Sequence, residues 1–430
     1  MALFGRKKKV AAPTDEAVPE PTLPEAPEPD GDGRRTVDAH RDYVLGLVQP
    51  LPPFGMALLD AWGLALCESV PAATDLPAFD SATVDGYGVR AEDVAGATQG
   101  EPRGLTLRPG GATGPLTTGK ATPVAAGQPM PEGADCVLPK EFTTAKDHRL
   151  RVLEPVVAGE NVRARASLMV DGDKVLEQGR VLDARSIGLL AEAGVDKVLA
   201  RPRPRVVVVS IGSDLVDPSR RLTSPEQHFD ATSYMLAAAA KAEGCQVWRV
   251  AVDSEDVTRV REVIGDQLIR ADLVITTGGL EGAAVLEQVA PGLGRCDITD
   301  LALQPGSRQG FGLMGDDEVP LLMLPSNPTG ALVGFHAFGR PVIRTLMGVE
   351  PVTPVNQRAI TTTIVRSTPG VFTAIPAFVR EEGGRHSVDL VHGDHPSANL
   401  ATANALVVLA EGAEDVPAGQ PVVVWMIDRD

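Results

Sequence analysis

RPRPRVVVVSIGSDLV, at residues 201–216, places an apolar run of strand length, Val206–Ser210, directly before a glycine turn. The residues after it continue an alternation of helix and strand patterns. The predicted segments are a helix over Ala231–Ala242, a strand over Gln246–Val252, a helix over Ser254–Leu268 capped by Asp253 or Ser254, a strand over Asp272–Thr276, a strand over Val319–Leu324 and a helix over Thr329–Thr345. This alternation predicts a doubly wound α/β domain with a mainly parallel sheet, which we assign to residues 201–348.

The segments on both sides of this domain differ from it in composition and in their strand and helix patterns. From residue 71 to 155, Pro and Gly recur every few residues around short β-type runs such as Ala134–Leu138, which predicts an inserted β module. Residues 349–430 form a predicted C-terminal β domain, with strands over Ala359–Val365, Leu406–Leu409 and Val422–Met426. Residues 36–70 and 156–200 flank the β module and are assigned to one linking subdomain, with helices over His40–Val48, Gly55–Leu66 and Asp183–Ala193.

Residues 1–35 are predicted to be a disordered tail. Residues 11–35 are rich in Pro, Glu, Ala and Asp and offer too little apolar surface to offset the entropy of ordering. The basic residues Arg6 to Lys9 could touch an acidic membrane surface or a partner, but so few charges give only weak binding. The interpretation we favour is a solubilising extension.

The composition excludes several classes of protein. Forty Lys and Arg against 57 Asp and Glu give a net charge of -17, so a basic nucleic-acid-binding face is not expected. The four cysteines include no CxxC pair and indicate buried thiols in a reducing compartment rather than a disulfide framework. Since no apolar run reaches about 18 residues and the start lacks a secretory signal, we expect a cytoplasmic protein.

Candidate ligand-binding segments lie where predicted strands end. They are Ser210–Asp214, Thr276–Gly279, Pro305–Gly306 and Leu324–Pro328. Backbone amides at such turns can cradle a phosphate, although tight turns alone account for the glycines. Within FDSATVDGYGVR at 79–90, Asp85 could bind a metal or cap a turn. The seven histidines show no regular ligand spacing, and Gly393 and Pro396 place His392 and His395 in a loop.

The order of these motifs resembles that of the molybdopterin molybdotransferase (MoeA) family, whose eukaryotic relative is the gephyrin E domain. The matching stretches are FDSATVDGYGVR at 79–90, PMPEGADCVLPKE at 129–141, GENVRARA at 159–166, RPRPRVVVVSIGSDLV at 201–216, ADLVITTGG at 271–279, LQPG at 303–306, LPSNP at 324–328 and ATANALVVL at 401–409. The resemblance implies an α/β multidomain chain: an elongated, four-subdomain homodimer with a MogA-like α/β domain. It also implies a dimer cleft in which molybdate is inserted into adenylylated molybdopterin with a divalent cation.

The chain departs from the family pattern at several site positions. Family lysines are replaced by Gln304 and Ser307, a family acid by Leu286, a serine by Glu281, and a glycine by Ser326. Because oxyanion sites use cations and hydroxyls and cation sites use carboxylates, these changes indicate a retained scaffold with a decayed site. If the chain is active, the resemblance makes Asp85, Asp214 and Asp230 the catalytic candidates. The positions that match the family's cofactor-binding residues, then vestigial, are Gly278, Gly279, Pro305, Gly306, Pro325, Asn327 and Pro328.

Two functions remain open. In the first, the protein is a gephyrin-like dimeric scaffold that needs no cofactor or metal and binds a partner's peptide tail in a groove at His40, Tyr43 and Val44. Resemblance to such paralogues suggests the FtsZ tail and a membrane receptor as partners, with recruitment to the division site or inner membrane face. The alternative is a molybdopterin molybdotransferase of molybdenum cofactor biosynthesis, which would use Mg and molybdate.

Overall fold

The computed structural model describes residues 23–29, 31–109 and 113–427 of the chain. The chain folds into two compact units. Unit 1 comprises Met1–Pro50, Arg203–Leu346 and Glu350–Asp430, and unit 2 comprises Leu51–Pro202 and Met347–Val349. None of the helices in the described ranges combines the length and apolarity that a membrane span requires.

The first helix, α1, spans Val37–Leu47 and belongs to unit 1. Thr36 caps it, because the Thr36 side chain accepts a hydrogen bond from the backbone N–H of Ala39. The buried residues Val37, His40 and Val44 are spaced by three and four positions and therefore share one face. The cap thus starts the helix three residues before the predicted His40.

The predicted end of the tail, at residue 35, is wrong, because Arg35 is buried. Its side chain is only 4% exposed, and its guanidinium donates to the carboxylate of Asp297 at 2.6 Å. Its backbone N–H donates to the carbonyl of Asp300 at 3.0 Å. Arg35 is therefore part of the fold of unit 1, and the boundary predicted after residue 35 falls too late. Residues 1–22 and 30 of the predicted tail lie outside the described residues.

Unit 2 is built mainly of short strands. Its strands are β1 Phe54–Ala57, β2 Val70–Pro71, β3 Ser81–Ala82, β4 Gly86–Val89, β5 Arg103–Leu107, β6 Lys120–Val124, β7 Cys136–Pro139, β8 Thr143–Lys146, β9 Arg149–Val152, β10 Val162–Arg163, β11 Lys174–Leu176 and β12 Lys197–Ala200. Its helices are α2 Ala91–Val94, the 3-10 helix Lys140–Phe142 and α3 Ala184–Glu192. One six-stranded sheet, ordered β7-β4-β6-β5-β9-β8, surrounds a small core that includes Val89, Leu138 and Leu150.

Three antiparallel strand pairs, β1–β12, β2–β11 and β3–β10, make up much of the rest of unit 2. The predicted helix over Gly55–Leu66 is wrong. Its first residues form strand β1, where buried Met56 lies opposite Val198, and turns follow. The misleading apolar residues Leu59 and Trp62 are 82% and 57% exposed, so they do not form the buried face of a helix. The other predicted helix of this region is α3, which Asp183 caps.

The α/β part of unit 1 follows the predicted alternation. Its strands are β13 Arg205–Ile211, β14 Leu215–Val216, β15 His228–Phe229, β16 Gln246–Val252, β17 Leu273–Thr277, β18 Gly294–Asp300, β19 Leu303–Gln304, β20 Arg308–Met314 and β21 Val319–Leu324. Its helices are α4 Thr232–Ala242, α5 Val257–Leu268, α6 Val285–Val289, the 3-10 helix Ala290–Gly292, α7 Pro328–Gly334, a π-helical turn Phe335–Gly339 and α8 Arg340–Met347. Asp256, rather than Asp253 or Ser254, caps α5.

The main sheet of unit 1 has the order β16-β13-β17-β21-β20-β18. The first four strands are parallel, as predicted, and the last two are antiparallel. The sequence did not predict β18 and β20, because β18 is rich in polar residues and Gly310 and Gly312 interrupt β20. Val207, Val274 and Leu321 from the central strands lie in one core with Val260 and Ile264 of α5.

The C-terminal part of unit 1 is a small β domain. Its elements are β22 Gln357–Thr361, β23 Phe372–Glu382, β24 Arg385–Leu390, α9 Pro396–Thr402, β25 Ala405–Leu409 and β26 Pro421–Met426. The sheet order is β19-β23-β24-β22-β26-β25, and β23 also pairs with β25. Five strands therefore close into a barrel, and β19 extends it from the α/β part of the same unit.

Candidate functional site

Three parallel strands of unit 1 end next to one another. Ser210 of β13 lies opposite Thr277 of β17, and Thr277 lies opposite Leu324 of β21. The loops that follow these strands therefore leave the same edge of the sheet. In open α/β sheets this edge is where ligands bind, so the predicted segments at the strand ends meet at the expected place.

Gly278 and Gly279 form the turn after β17. Both have positive φ angles, +82° and +77°. A Cβ on Gly278 would lie 2.3 Å from the carbonyl oxygen of Ile211, so only glycine fits there. A Cβ on Gly279 would lie 3.1 Å from the side chain of Leu286. The packing of the turn itself thus accounts for both glycines.

The Pro-Gly turn after β19 packs against the loop after β21. A Cβ on Gly306 would lie 3.0 Å from the Cα of Gly330 and 3.2 Å from the Pro325 ring. Asn327 caps α7 by accepting a hydrogen bond from the Gly330 N–H at 2.7 Å. The Thr277 hydroxyl donates to the Pro325 carbonyl at 3.1 Å and joins this loop to the end of β17. Gly278, Gly279 and the predicted Pro305–Gly306 and Pro325–Pro328 residues therefore belong to one edge of unit 1.

A cavity of about 510 Å³ opens beside these loops within unit 1. This volume lies in the range of small-molecule sites. The α/β wall consists of Gln304, Pro305, Asn327, Pro328 and Thr329. The opposite wall comes from the C-terminal barrel and its loops and consists of Arg366, Thr368, Thr373, Ala374, Ile375, Pro376 and Pro396. The sequence predicted the first wall from the strand ends. It gave no signal for the second wall, which begins 37 residues after Thr329 in the chain.

Of the two predicted acids in unit 1, one is half-exposed and the other is buried. Asp214 follows β13, is 48% exposed and lies 3.3 Å from the Nδ1 of His228. Asp230 is 3% exposed, and its carboxylate accepts hydrogen bonds from the N–H and hydroxyl of Ser233 and from the Arg249 guanidinium. Both oxygens of Asp230 therefore already have protein partners, so this carboxylate orders the start of α4 rather than facing a ligand.

The third predicted acid, Asp85, lies in unit 2 just before β4. Its carboxylate accepts a hydrogen bond from the N–H of Ala126 at 3.0 Å and pairs with the Lys140 ammonium at 3.3 Å. The backbone hydrogen bond and then the lysine hold the pKa of Asp85 below its usual value. Asp85 is thus an ionised, exposed carboxylate with a lysine counter-ion beside it.

The described residues do not build a site for a divalent cation. No group of three or more His, Cys, Asp or Glu side chains in residues 23–29, 31–109 and 113–427 is arranged to hold a metal ion. Asp230 is also engaged by Ser233 and Arg249. Within the described residues, the donor set of one chain therefore does not fit a bound Mg²⁺.

The substituted family positions fall into two environments. Leu286 is 0% exposed and belongs to the core of the α/β part, so its side chain faces no ligand. Glu281 and Ser326 are exposed and contact each other, because the Ser326 hydroxyl donates to the Glu281 carboxylate at 2.6 Å. The sequence showed each change separately but not that the two form a pair, which needs the spatial approach of two loops.

The predicted peptide groove on α1 needs correction. His40 and Val44 are 0% exposed, and the His40 ring packs edge-on against Phe338 at 5.0 Å. Burial lowers the pKa of His40 to about 4, so the ring is neutral. Tyr43 alone is partly exposed, and its hydroxyl donates to the carbonyl of Pro24 at 3.4 Å. Two of the three predicted contact residues are therefore unavailable to a peptide.

Comparison with known proteins places the chain in a family. One family model, "MoeA N-terminal region (domain I and II)", matches residues 35–194, and another, "Probable molybdopterin binding domain", matches residues 207–345. Molybdopterin molybdenumtransferase 1 of Mycobacterium tuberculosis is 36% identical over 419 residues, covering 91% of this chain and 98% of that protein. The molybdopterin molybdenumtransferase of Nostoc sp. is 30% identical over 386 residues, covering 86% and 88%.

Solved structures agree on the fold. Two structures of the molybdopterin biosynthesis MoeA protein from Pyrococcus horikoshii align with TM-scores of 0.78 and 0.69 at 24% and 23% identity, and they cover 92% and 91% of this chain and 100% of each structure. The fold and the loops at the sheet edge define a mixed α/β multidomain protein with a MogA-like domain and a C-terminal β domain. The chain belongs to the MoeA family, which includes the gephyrin E domain, and the resemblance seen in the sequence is confirmed.

Proposed function

We propose that this protein is a molybdopterin molybdenumtransferase that acts in molybdenum cofactor biosynthesis. In this proposal the sheet edge and the cavity beside it hold adenylylated molybdopterin and the molybdate that is inserted into it. This was the alternative in the sequence analysis. It takes precedence because relatives that are 36% and 30% identical along most of their length carry this name.

One observation carries the proposal. The segments Gln304–Pro305 and Asn327–Thr329 lie on one wall of a cavity of about 510 Å³, at the edge where open α/β sheets bind ligands. Amide groups of Gln304 and Asn327 and the Thr329 hydroxyl supply neutral hydrogen-bonding partners there.

In the sequence, the replacement of a family acid by Leu286 suggested a decayed site. The position of Leu286 gives no support to that interpretation. Leu286 is enclosed in the core, and its backbone N–H donates to the carbonyl of Gly279 at 3.0 Å. The substitution thus supports the glycine turn by packing beneath it. The changes that alter the charge of the edge are Glu281 and the replacements of two lysines by Gln304 and Ser307.

Complementation tests the proposed function. The full chain is expressed in a bacterial strain that lacks its own molybdotransferase, and molybdenum-dependent nitrate reductase activity is measured. The native chain should restore the activity, and Asp214→Asn should lower it at least about tenfold because Asp214, beside His228, is the half-exposed one of the two predicted acids of unit 1. Asp253→Asn, at an exposed acid of the same unit, is the matched control and should match the native chain.

Failure of the native chain to restore nitrate reductase, at an expression level equal to that of a functional homologue, would refute the proposal. The peptide-binding scaffold finds no support in the comparisons, and the burial of His40 and Val44 removes two residues of its groove. A homodimer remains part of the proposal, because the resemblance places the family's active site in a cleft between two chains. Light scattering should therefore give twice the 45.1 kDa chain mass at micromolar concentration.

A further inference from the structure

A buried glutamine lies behind the wall that the α/β part contributes to the cavity. Gln309 belongs to β20 and is 0% exposed. Its side-chain nitrogen donates a hydrogen bond to the carbonyl of Gly306 at 2.8 Å. Gly306 directly follows Gln304 and Pro305, and both of these residues line the cavity. The amide of Gln309 therefore holds the turn after β19 from the interior of the protein.

The same side chain also packs against α7, whose cap Asn327 begins the second segment of this wall. A Cβ on Gly334 would lie 3.1 Å from both the nitrogen and the oxygen of the Gln309 amide. A Cβ on Gly330 would lie 3.0 Å from the Cα of Gly306. The two helix glycines are four positions apart and share one face of α7, which rests on the turn and on Gln309. Gln309 thus lies between the two segments that form the α/β wall.

Stability alone does not account for an amide at this position. The side-chain oxygen of Gln309 is buried and has no hydrogen-bond partner among the described residues. A buried acceptor without a partner is unfavourable, and an apolar side chain of similar size would remove that cost. It would also remove the hydrogen bond to Gly306. The amide therefore fixes the turn at a cost in stability, and such costs are concentrated at functional sites.

We propose that Gln309 is a positioning residue of the candidate site, which fixes the turn at Gly306 relative to α7 so that the α/β wall keeps the shape that the pterin ligand requires. The inference rests on the proposed function. Gln309 is enclosed and acts through Gly306, whose φ of +91° is one that a glycine adopts freely and also leaves freely. Loss of the hydrogen bond should therefore weaken ligand binding rather than slow the chemical step.

Calorimetry of the full-length protein with adenylylated molybdopterin tests the positioning role. Gln309→Leu should raise Kd at least about fivefold, and in an assay of cofactor formation it should raise KM similarly while kcat stays within about twofold. Gln267→Leu is the matched control. Gln267 is 8% exposed on α5 and donates to the carbonyl of Val263 at 3.1 Å, so its substitution also removes a buried amide but leaves the turn untouched. It should keep the native Kd and KM.

Gln309→Glu gives a readout that a purely structural role would not move. Glutamate has nearly the same shape, and its neutral carboxyl can donate to the Gly306 carbonyl, whereas the carboxylate cannot. Because burial raises the pKa of a carboxyl, the neutral form should persist to near-neutral pH. Relative to the native protein at the same pH, the Kd of this variant should be within about twofold at about pH 6 and at least about fivefold higher at about pH 8.5.

The outcomes separate this inference from the proposed function. A folded Gln309→Leu protein with native Kd and KM overturns the inference and leaves the function standing. The same holds if the Kd of Gln309→Glu, relative to that of the native protein, does not change with pH. The pH series decides alone if Gln309→Leu does not fold, since Gln309→Glu keeps the hydrogen bond at the lower pH. A native chain that binds no adenylylated molybdopterin refutes the proposed function and the inference with it.

Discussion

The hydroxyl of Ser326 donates a hydrogen bond to the carboxylate of Glu281 at 2.6 Å. Both residues depart from the MoeA family pattern, and together they place a negative charge at the sheet edge. We expect Glu281→Ser to strengthen molybdate binding by about 1 kcal/mol, roughly fivefold, because an anion no longer meets this carboxylate. Calorimetry measures it, with Glu255→Ser at an exposed loop position as the control. An unchanged or weaker affinity would mean that Glu281 does not face the ligand.

Leu286 should be a stability residue. It is 0% exposed, and Leu286→Asp, which restores the family acid, would put an unpaired charge into the core. The substitution should lower the free energy of unfolding by about 3 kcal/mol or more and should not increase activity. Denaturant unfolding followed by circular dichroism measures this loss. Leu222→Asp, at a side chain that is 43% exposed, is the control and should cost less than about 1 kcal/mol.

Substitution of Asp230 should lower the stability of the fold, whereas substitution of Asp214 should not. Asp230→Asn weakens the contacts with Ser233 and leaves the Arg249 guanidinium, which is 21% exposed, without its nearest carboxylate. Arg249 keeps Asp217 at 3.7 Å, so we expect a loss of about 2 kcal/mol rather than the larger cost of a fully buried pair. Asp214→Asn, at a half-exposed carboxylate, should leave the unfolding free energy within about 0.5 kcal/mol. Equal effects of both substitutions on the unfolding midpoint would contradict this assignment.

Two buried histidines should make the fold sensitive to mild acid. Burial and then the charge of Arg35 lower the pKa of His40 to about 4, against an opposing effect of Asp297, and burial and then Arg340 lower that of His336 to about 3. Between pH 6.5 and about 4 the unfolded chain therefore binds protons that the folded chain excludes. Stability should fall as pH falls through this window, by about 1.4 kcal/mol per pH unit for each histidine.

His40→Gln removes one of these titrating groups while keeping a polar side chain. The slope of unfolding free energy against pH between 6 and 4.5 should then fall by about half. Urea unfolding at a series of pH values gives this slope. His392→Gln, at a loop histidine in the C-terminal part of unit 1, is the control and should leave the slope unchanged. A native slope that persists in His40→Gln would show that His40 takes up its proton in the folded state.

The sequence predicted those parts of the fold that have a strong local signal. The valine run of β13 is buried on both faces, and such a run is typical of a central parallel strand. Strand β20 was missed because Gly310 and Gly312 make room for neighbouring side chains and leave no alternating pattern. The spacing of Leu59 and Trp62 imitates the apolar face of a helix, but both side chains are exposed in a turn region. The sequence alone does not show which apolar side chains are exposed.

The candidate site could be predicted only on one side. Loops after parallel strands converge by topology, so Gly278 and Asn327 were placed correctly at one edge. Arg366 and Thr368 reach the cavity because the barrel folds back on the α/β part of the same unit, and no local pattern encodes that approach. A departure from the family pattern likewise does not show whether the new side chain is buried. Leu286 resembled a lost ligand in the sequence and proves to be a core residue.

Direct assay of the chemical step tests the central claim most directly. The purified full-length protein is mixed with adenylylated molybdopterin and molybdate, and mature cofactor is measured by its ability to activate a cofactor-free molybdoenzyme. We predict cofactor formation that depends on this protein and on molybdate and that falls at least about tenfold in Asp214→Asn. If the native protein binds the adenylylated pterin but forms no cofactor above the protein-free background, the fold has kept ligand binding without the transferase reaction, and the proposed function is wrong.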